Sequence, residues 1–208
     1  MSYYTEETRK MARELAEACH EAFGMIQTGT GGNVSARIPG ENLMLVKASG
    51  GSLGSATEES FLVCDFEGNL VEGTGKPTRE AFLHGYIYKV RPDVNAVVHC
   101  HSPYAVAWSS TKTALPCCTY HSAMKMGKEL PTLDVHAAMV REQDLPIVKE
   151  MLDANPSLEG FLLANHGAVA MGKKPMAAEY CAELIEETAQ IAVLRKQLGT
   201  LHLLIFKG

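Results

Sequence analysis

Apolar side chains recur along this chain with two different periods, and the change of period divides it into elements. Over residues 5–24, Met11, Leu15, Cys19, Ala22 and Phe23 fall on one side of a helix, with Thr5 placed to cap its start. The period then drops to two. NVSARI (33–38) alternates, LMLVKA (43–48) and FLVCDF (61–66) read as further short strands, and glycine-rich connections separate them. PTREAFLHGYIYKV (77–90) is helical, with Pro77 and Thr78 at its mouth and Phe82, Tyr86 and Val90 spaced by four, until RPD breaks it. VNAVVHCH (94–101) follows as a strand. A short helix at 103–110, a helix at 142–154, a strand FLLA at 161–164 and a long helix at 175–198 complete the layout. Short, mainly antiparallel strands cluster early while helices and strands alternate late, which predicts a layered α/β sandwich rather than a βαβ winding.

The 208 residues suffice for one domain spanning 1–208 with a substantial core, and no repeat or long linker divides them. The net charge of −5 is spread among interspersed acids and bases, so no basic face points to nucleic acid or an anionic membrane, and a small solute is the expected partner. The start MSYYTEETRK is charged, and no stretch approaches the ~18 apolar residues of a spanning helix. A soluble, cytoplasmic protein is expected. Six cysteines without a C-x-x-C, two of them adjacent (Cys117 and Cys118), read as reduced, mostly buried thiols.

The candidate chemistry begins at VVHCHSPY (97–104). On a strand, His99 and His101 share a face while Cys100 points away, a geometry suited to one metal ion or, more plainly, to two strand-end histidines. FLLANHGAVAMG (161–172) places His166 where another strand meets a loop. Three neutral imidazoles with an open fourth position are a recurrent set for catalytic zinc. Glu80, near the start of its helix, is either a carboxylate favoured by the helix dipole or, beside a metal, an acid/base. TGTGGNVS (28–35) has Val34 where G-x-G-x-x-G needs its third glycine, and reads as a flexible turn or a nest of donors for an anion. His84 shares a helical face with Glu80, as a packed residue or a support to the site. His20, His121 and His136 have no identifiable partner.

Taken in order, GTGGNVS (29–35), KASG (47–50), KPTRE (76–80), RPDVNAVVHCH (91–101), LPCCTY (115–120), ANHG (164–167) and ELIEETAQ (183–190) resemble the class II aldolase/adducin family over residues 5–200. The resemblance implies a three-layer α/β/α sandwich around a mostly antiparallel central sheet and a fourfold homotetramer with active sites between subunits. It implies one Zn²⁺ or another divalent ion per chain on His99, His101 and His166, with Glu80 catalytic. It places Thr30, Asn33, Ser49, Gly50, Thr78 and Arg79 around a substrate phosphate. Arg79 departs from the hydroxyl residue common there and suits either that phosphate or a substrate carboxylate.

The activity so implied is carbon–carbon lysis of a small phosphorylated sugar or sugar acid, through an enediolate stabilised by zinc and reprotonated by Glu80. Retro-aldol cleavage to dihydroxyacetone phosphate and an aldehyde leads. Decarboxylation of a 3-oxo-tetronate 4-phosphate is the alternative, since KPTRE, GGSLG (50–54) and FLLANHG (161–167) look closer to that branch. Tyr120 matches the tyrosine that serves aldolases from a neighbouring subunit, and otherwise reads as a half-buried interface residue. The second tyrosine of fuculose-phosphate aldolases has no counterpart, because the tail LHLLIFKG offers only His202. Ribulose-phosphate 4-epimerases carry aspartate where this chain has Glu80. An adducin-like interaction module lacks the catalytic set present here.

Overall fold

The structure is a computed structural model that describes residues 2–27, 29–135 and 139–199. The first expected helix is α1 (Glu6–Met25), where the hydroxyl of Thr5 accepts from the Thr8 amide at 3.3 Å, and helical geometry is lost at Phe23 and Gly24. The three expected strands are β1 (Asn33–Arg37), β2 (Leu43–Lys47) and β3 (Phe61–Asp65), and β4 (Leu70–Glu72) extends the meander. The histidine strand is β5 (Ala96–Cys100). FLLA becomes β9 (Gly160–Leu163), paired with β10 (Gly167–Gly172), while the last two predicted helices are α5 (Leu145–Ala154) and α6 (Pro175–Gln197).

One eight-stranded sheet organises the chain, in the order β4-β3-β2-β1-β5-β10-β9 and then β8 (Thr132–Leu133). Every neighbouring pair is antiparallel except β8 and β9. Register sorts the side chains. Asn33 stands opposite His99 and Ser35 opposite Val97, so these share one face, whereas Val34, Ala36, Val98 and Cys100 point to the other. The first face is covered by α2 (Ala81–Val90), whose His84 and Tyr88 reach Ser35. The second is covered by α6, α1 and α3 (Pro103–Ser109), with α6 packed along β10 and β5. This is the expected three-layer α/β/α sandwich with a mostly antiparallel sheet. Both layers are closely packed, with Leu15, Ile87, Val98, Phe161 and Ile185 fully buried.

Three departures from the sequence pattern have local causes. The helix expected from Pro77 begins only at Ala81, because the lead-in is tied to β2 instead: Ser49 N donates to Lys76 O at 2.8 Å and Thr78 N to Lys47 O at 3.3 Å. Glu80 is therefore the residue before the helix, with no side-chain cap bond. The helix α4 (Tyr120–Met126) escaped prediction because YHSAMKM lacks apolar periodicity, and Thr119 and Ser122 set it through a reciprocal capping box. The short ribbon of β6 (Leu115–Pro116) and β7 (Glu129–Leu130) brackets it. All six cysteines are free and buried, and no helix among the described residues is long and apolar enough to cross a membrane.

Candidate metal centre and active site

β5 and the β9–β10 hairpin bring three histidines to one point. His99 is fully buried in β5, His101 follows just past its end, and His166 is presented by the hairpin turn. That turn closes with His166 N donating to Leu163 O at 3.0 Å and Asn165 at φ +56°, a left-handed conformation that asparagine tolerates. His99 Nδ1 lies 3.0 Å from the Ala168 carbonyl, so this nitrogen carries the proton and Nε2 keeps its lone pair. The His99 and His101 Nε2 atoms are 3.1 Å apart, and the His101 and His166 Nε2 atoms 3.2 Å. Tetrahedral zinc with ~2.0–2.1 Å bonds to nitrogen requires ligands ~3.3 Å apart, so the donor set fits such an ion without rearrangement. Among the described residues this is the one group of three or more histidine, cysteine or acidic side chains that converges so closely.

Electrostatics keep these rings neutral. Burial, then the facing His166 and His101, hold His99 well below the ordinary histidine range. Burial lowers His101 as well, and burial with His101 lowers His166 to about 4. Three lone pairs crowded together in the neutral state are what a borderline-soft dication requires. His101 is fixed from behind, its amide donating to Gln27 Oε1 at 2.6 Å. The glycine-rich loop also has a steric purpose beyond donating amides: a Cβ on Gly31, which sits at φ +120°, would lie 2.9 Å from His101 Nδ1.

Glu80 opens into the same cavity but is itself buried, and its Oε2 has no hydrogen-bond partner among the described residues. Burial pushes its carboxyl up to about 7. A helix dipole would lower that value, so the dipole reading does not account for this residue. The carboxyl is poised to hold or release a proton near neutrality. Behind it, Ser35 Oγ lies 2.7 Å from both His84 Nδ1 and Tyr88 OH, welding α2 to β1. Burial lowers His84 to about 3, which keeps that ring neutral.

The cavity encloses about 470 Å³, the size of a small-molecule site. Thr30 and Asn33 line it from the glycine loop and β1, Ser49 and Gly50 from the turn after β2, and Thr78 and Arg79 from the lead-in to α2. With Glu80 and the three histidines, ten residues singled out in the sequence therefore surround one space. Lys47 also lines it and was overlooked. Its side chain is buried, and its ammonium donates to Gly51 O at 2.5 Å and Ala48 O at 3.2 Å, bracing the turn that carries Ser49 and Gly50. A lysine in the otherwise apolar run LMLVK was the signal available.

Residues 13–193 match the Class II Aldolase and Adducin N-terminal domain. The chain belongs to this family. An L-fuculose phosphate aldolase of Methanococcus maripaludis is 34% identical over 175 residues, covering 82% of this chain and 88% of that protein. A 3-oxo-tetronate 4-phosphate decarboxylase of Haemophilus influenzae is 36% identical over 170 residues, covering 78% and 77%. The solved structure of an L-fuculose 1-phosphate aldolase superposes with a TM-score of 0.83 at 25% identity, covering 98% of this chain and 92% of that one. As a class II aldolase-family member with named aldolase and decarboxylase relatives, the chain is an enzyme.

Tyr120 begins α4, is 71% exposed and does not line the cavity of its own chain. His202 and His136 fall outside the described residues. Among the remaining histidines, His20 has a partner after all, the Ala56 carbonyl at 2.8 Å, while His121 borders a second groove against α6.

Proposed function

We propose that this enzyme is a divalent-metal-dependent carbon–carbon lyase acting on a small phosphorylated sugar, and that it catalyses retro-aldol cleavage to dihydroxyacetone phosphate and an aldehyde. The observation that carries this reading is the convergence of the three Nε2 atoms beside the buried Glu80 carboxyl in one cavity. His99, His101 and His166 hold the ion, with zinc the best match to a set of three imidazoles. When bound, the ion supplies Lewis-acid polarisation of a substrate carbonyl. Thr30, Asn33, Ser49, Gly50 and Thr78 offer hydroxyl, amide and backbone donors to the phosphate. As the carbon–carbon bond opens, its electron pair stays with the carbonyl-bearing fragment, and the Glu80 carboxyl delivers a proton to that carbon. The aldehyde-side hydroxyl must lose its proton in the same event. Tyr120 of the partner subunit serves there, its phenolate accepting that proton in cleavage and its phenol returning it in condensation, in a homotetramer whose sites lie between chains, an arrangement consistent with the exposure of Tyr120 and Met124 on α4. The reading places the enzyme in the cytoplasm, where its reduced cysteines are at home.

A second reading has its own support. Decarboxylation of a 3-oxo-tetronate 4-phosphate expels carbon dioxide in place of the aldehyde, needs no hydroxyl deprotonation, and so needs no tyrosine. The presence of Arg79 in the cavity favours it. A 4-epimerase is less well supported, because Glu80 replaces aspartate, and an interaction module has no use for the histidine set. The test is elemental analysis of the purified protein, followed by incubation with fuculose 1-phosphate and with 3-oxo-tetronate 4-phosphates while aldehyde and carbon dioxide are measured. The expected result is about one zinc per chain and metal-dependent aldehyde release, lost together in His99→Ala and His166→Ala. Carbon dioxide without aldehyde selects the second reading, and full turnover in a metal-free variant removes both.

A further inference from the structure

We infer that His84 is the positioning residue of Glu80: its Nε2–H is the donor that receives the Glu80 carboxylate once the acid has given up its proton. The inference rests on the acid/base role assigned to Glu80 above and deepens it, without depending on which bond of the substrate breaks. It starts from two atoms. His84 Nε2 and Glu80 Oε2 are both buried, and neither has a hydrogen-bond partner among the described residues. A buried polar atom left orphaned is costly and calls for a use. The two residues stand one helical turn apart, with the His84 amide donating to Glu80 O at 3.1 Å. Side chains on a helix lean towards its N-terminus, which carries the His84 ring towards Glu80.

The seam between α2 and β1 fixes which nitrogen bears the proton. Tyr88 OH lies 2.7 Å from Ser35 Oγ, and a backbone hydrogen bond at Val97 lowers the phenol, as an amide donating to the phenol oxygen does. The phenol proton therefore goes to Ser35. Ser35 in turn donates to His84 Nδ1 at 2.7 Å, which leaves the ring proton on Nε2. Burial keeps the ring neutral, so the donor brings no cation beside His99. Two buried acceptors on this side of the sheet lack partners, Glu80 Oε2 and Asn33 Oδ1. Asn33 stands two residues from Ser35 along β1, roughly 6–7 Å away at the backbone, and its amide oxygen stays neutral throughout. Glu80 becomes an anion. As its proton passes to the substrate carbon, negative charge is left on a buried carboxyl, and a charge-assisted hydrogen bond is about twice as strong as a neutral one. The orphaned donor is matched to the acceptor that gains charge during the reaction.

Two amides separate the two ring nitrogens, because an asparagine amide falls where Nδ1 stood and a glutamine amide where Nε2 stood. His84→Asn keeps a partner for Ser35 and removes the donor to Glu80, whereas His84→Gln does the reverse. Infrared difference spectra of the full chain, metal-free and zinc-loaded, are taken at pH ~9. This lies above the Glu80 midpoint of about 7, so the carboxylate band lost in Glu80→Gln belongs to Glu80. His84→Asn is expected to shift that band. It is also expected to lower kcat about 10-fold or more with KM within about twofold, on whichever of fuculose 1-phosphate and 3-oxo-tetronate 4-phosphate the wild type turns over. His84→Gln is expected to restore both readouts. The opposite order of the two variants, or a Glu80 band that neither moves, would make His84 a packing residue of the seam and overturn the inference. Wild-type inactivity on both phosphate esters counts against the lyase reading, while the infrared band needs no substrate and still decides this one. If neither variant folds, long-range proton–nitrogen NMR of the wild type reads the tautomer. An Nε2–H resonance that moves in Glu80→Gln sustains the assignment; an Nδ1–H ring, or an Nε2–H that does not move, overturns it.

Discussion

Ser35 Oγ and His84 Nδ1 lie 2.7 Å apart in the fully buried seam between β1 and α2, and the same hydroxyl lies 2.7 Å from Tyr88 OH. Glu80 precedes the helix that this pair anchors, and His99 stands on the strand beside β1. The seam thus joins the backbone bonds from Ser49 to Lys76 and from Thr78 to Lys47 in fixing the acid/base relative to the metal ligands. Ser35→Ala strands the His84 Nδ1 nitrogen and removes the Tyr88 phenol's side-chain partner. It should destabilise the protein by ~1–3 kcal/mol, the usual cost of a buried unpaired polar group. Tyr88→Phe leaves the Ser35–His84 bond in place and should cost ~0.5–1.5 kcal/mol. Denaturant unfolding measures both, and equal costs for the two variants would contradict a serine-centred seam.

Much of this was legible in the sequence, for an identifiable reason. β5 and the β9 run are apolar, β-branched or leucine-rich and short, so VVHCH and FLLA announced both the strands and the positions of His99, His101 and His166. Helices α1 and α6 were found because their periodicity persists for five turns or more. By contrast, GAVAMG of β10 carries small residues whose pairing with β5 comes from tertiary context, and Gly167 is there because a Cβ would meet the Cys100 carbonyl at 2.2 Å. The start of α2 was misplaced by four residues because Pro77 and Thr78 look like a helix entrance, whereas backbone bonds to β2 hold them extended. Lys47 was missed because the one signal, a lysine closing the apolar run LMLVK, does not say that its ammonium turns inward from the end of β2 to brace the following turn.

The fit of the glycine loop against the metal ligands makes Gly31 a sharper probe than most loop residues. Alanine there must adopt φ +120° and place its methyl 2.9 Å from His101 Nδ1. Either the loop or the imidazole moves. Gly31→Ala should therefore weaken zinc affinity by about 10-fold or more, with the far-ultraviolet spectrum unchanged. Competition against a chromophoric chelator reads the affinity. Wild-type zinc binding in this variant would show that the loop yields and the histidine does not.

Glu80 is expected to separate metal binding from turnover. Glu80→Gln keeps the shape of the side chain and leaves the three imidazoles untouched, so zinc content should remain at the wild-type level. Turnover should fall ~10²-fold or more, the size of an acid/base contribution. In the metal-free protein, burial places the Glu80 carboxyl at about 7. Because the folded-state value lies above the ordinary 4.5, this group's favourable contribution is complete below about pH 4.5 and declines as the pH rises through about 7. Difference infrared titration of wild type against Glu80→Gln reports that ionisation directly. A carboxyl signal with an ordinary midpoint near 4.5 would remove the physical basis of its acid/base assignment.

A second raised carboxyl lies away from the site and makes an opposite engineering prediction. Glu179 of α6 is fully buried; desolvation, reinforced by the neighbouring Glu183 and Glu21, pushes it up to about 8. The sign follows from linkage. A group bound to its proton more tightly in the folded than in the unfolded chain stabilises most below its unfolded value of about 4.5 and loses that contribution as the pH climbs through about 8. Glutamine has the same shape and cannot ionise. Glu179→Gln should thus be close to neutral at pH ~5 and stabilising at pH ~9, where the wild type must bury a charge or retain a proton against the solvent. Thermal unfolding at the two pH values checks it. A variant whose melting temperature tracks that of the wild type across the range would mean that Glu179 reaches water or a cation in solution.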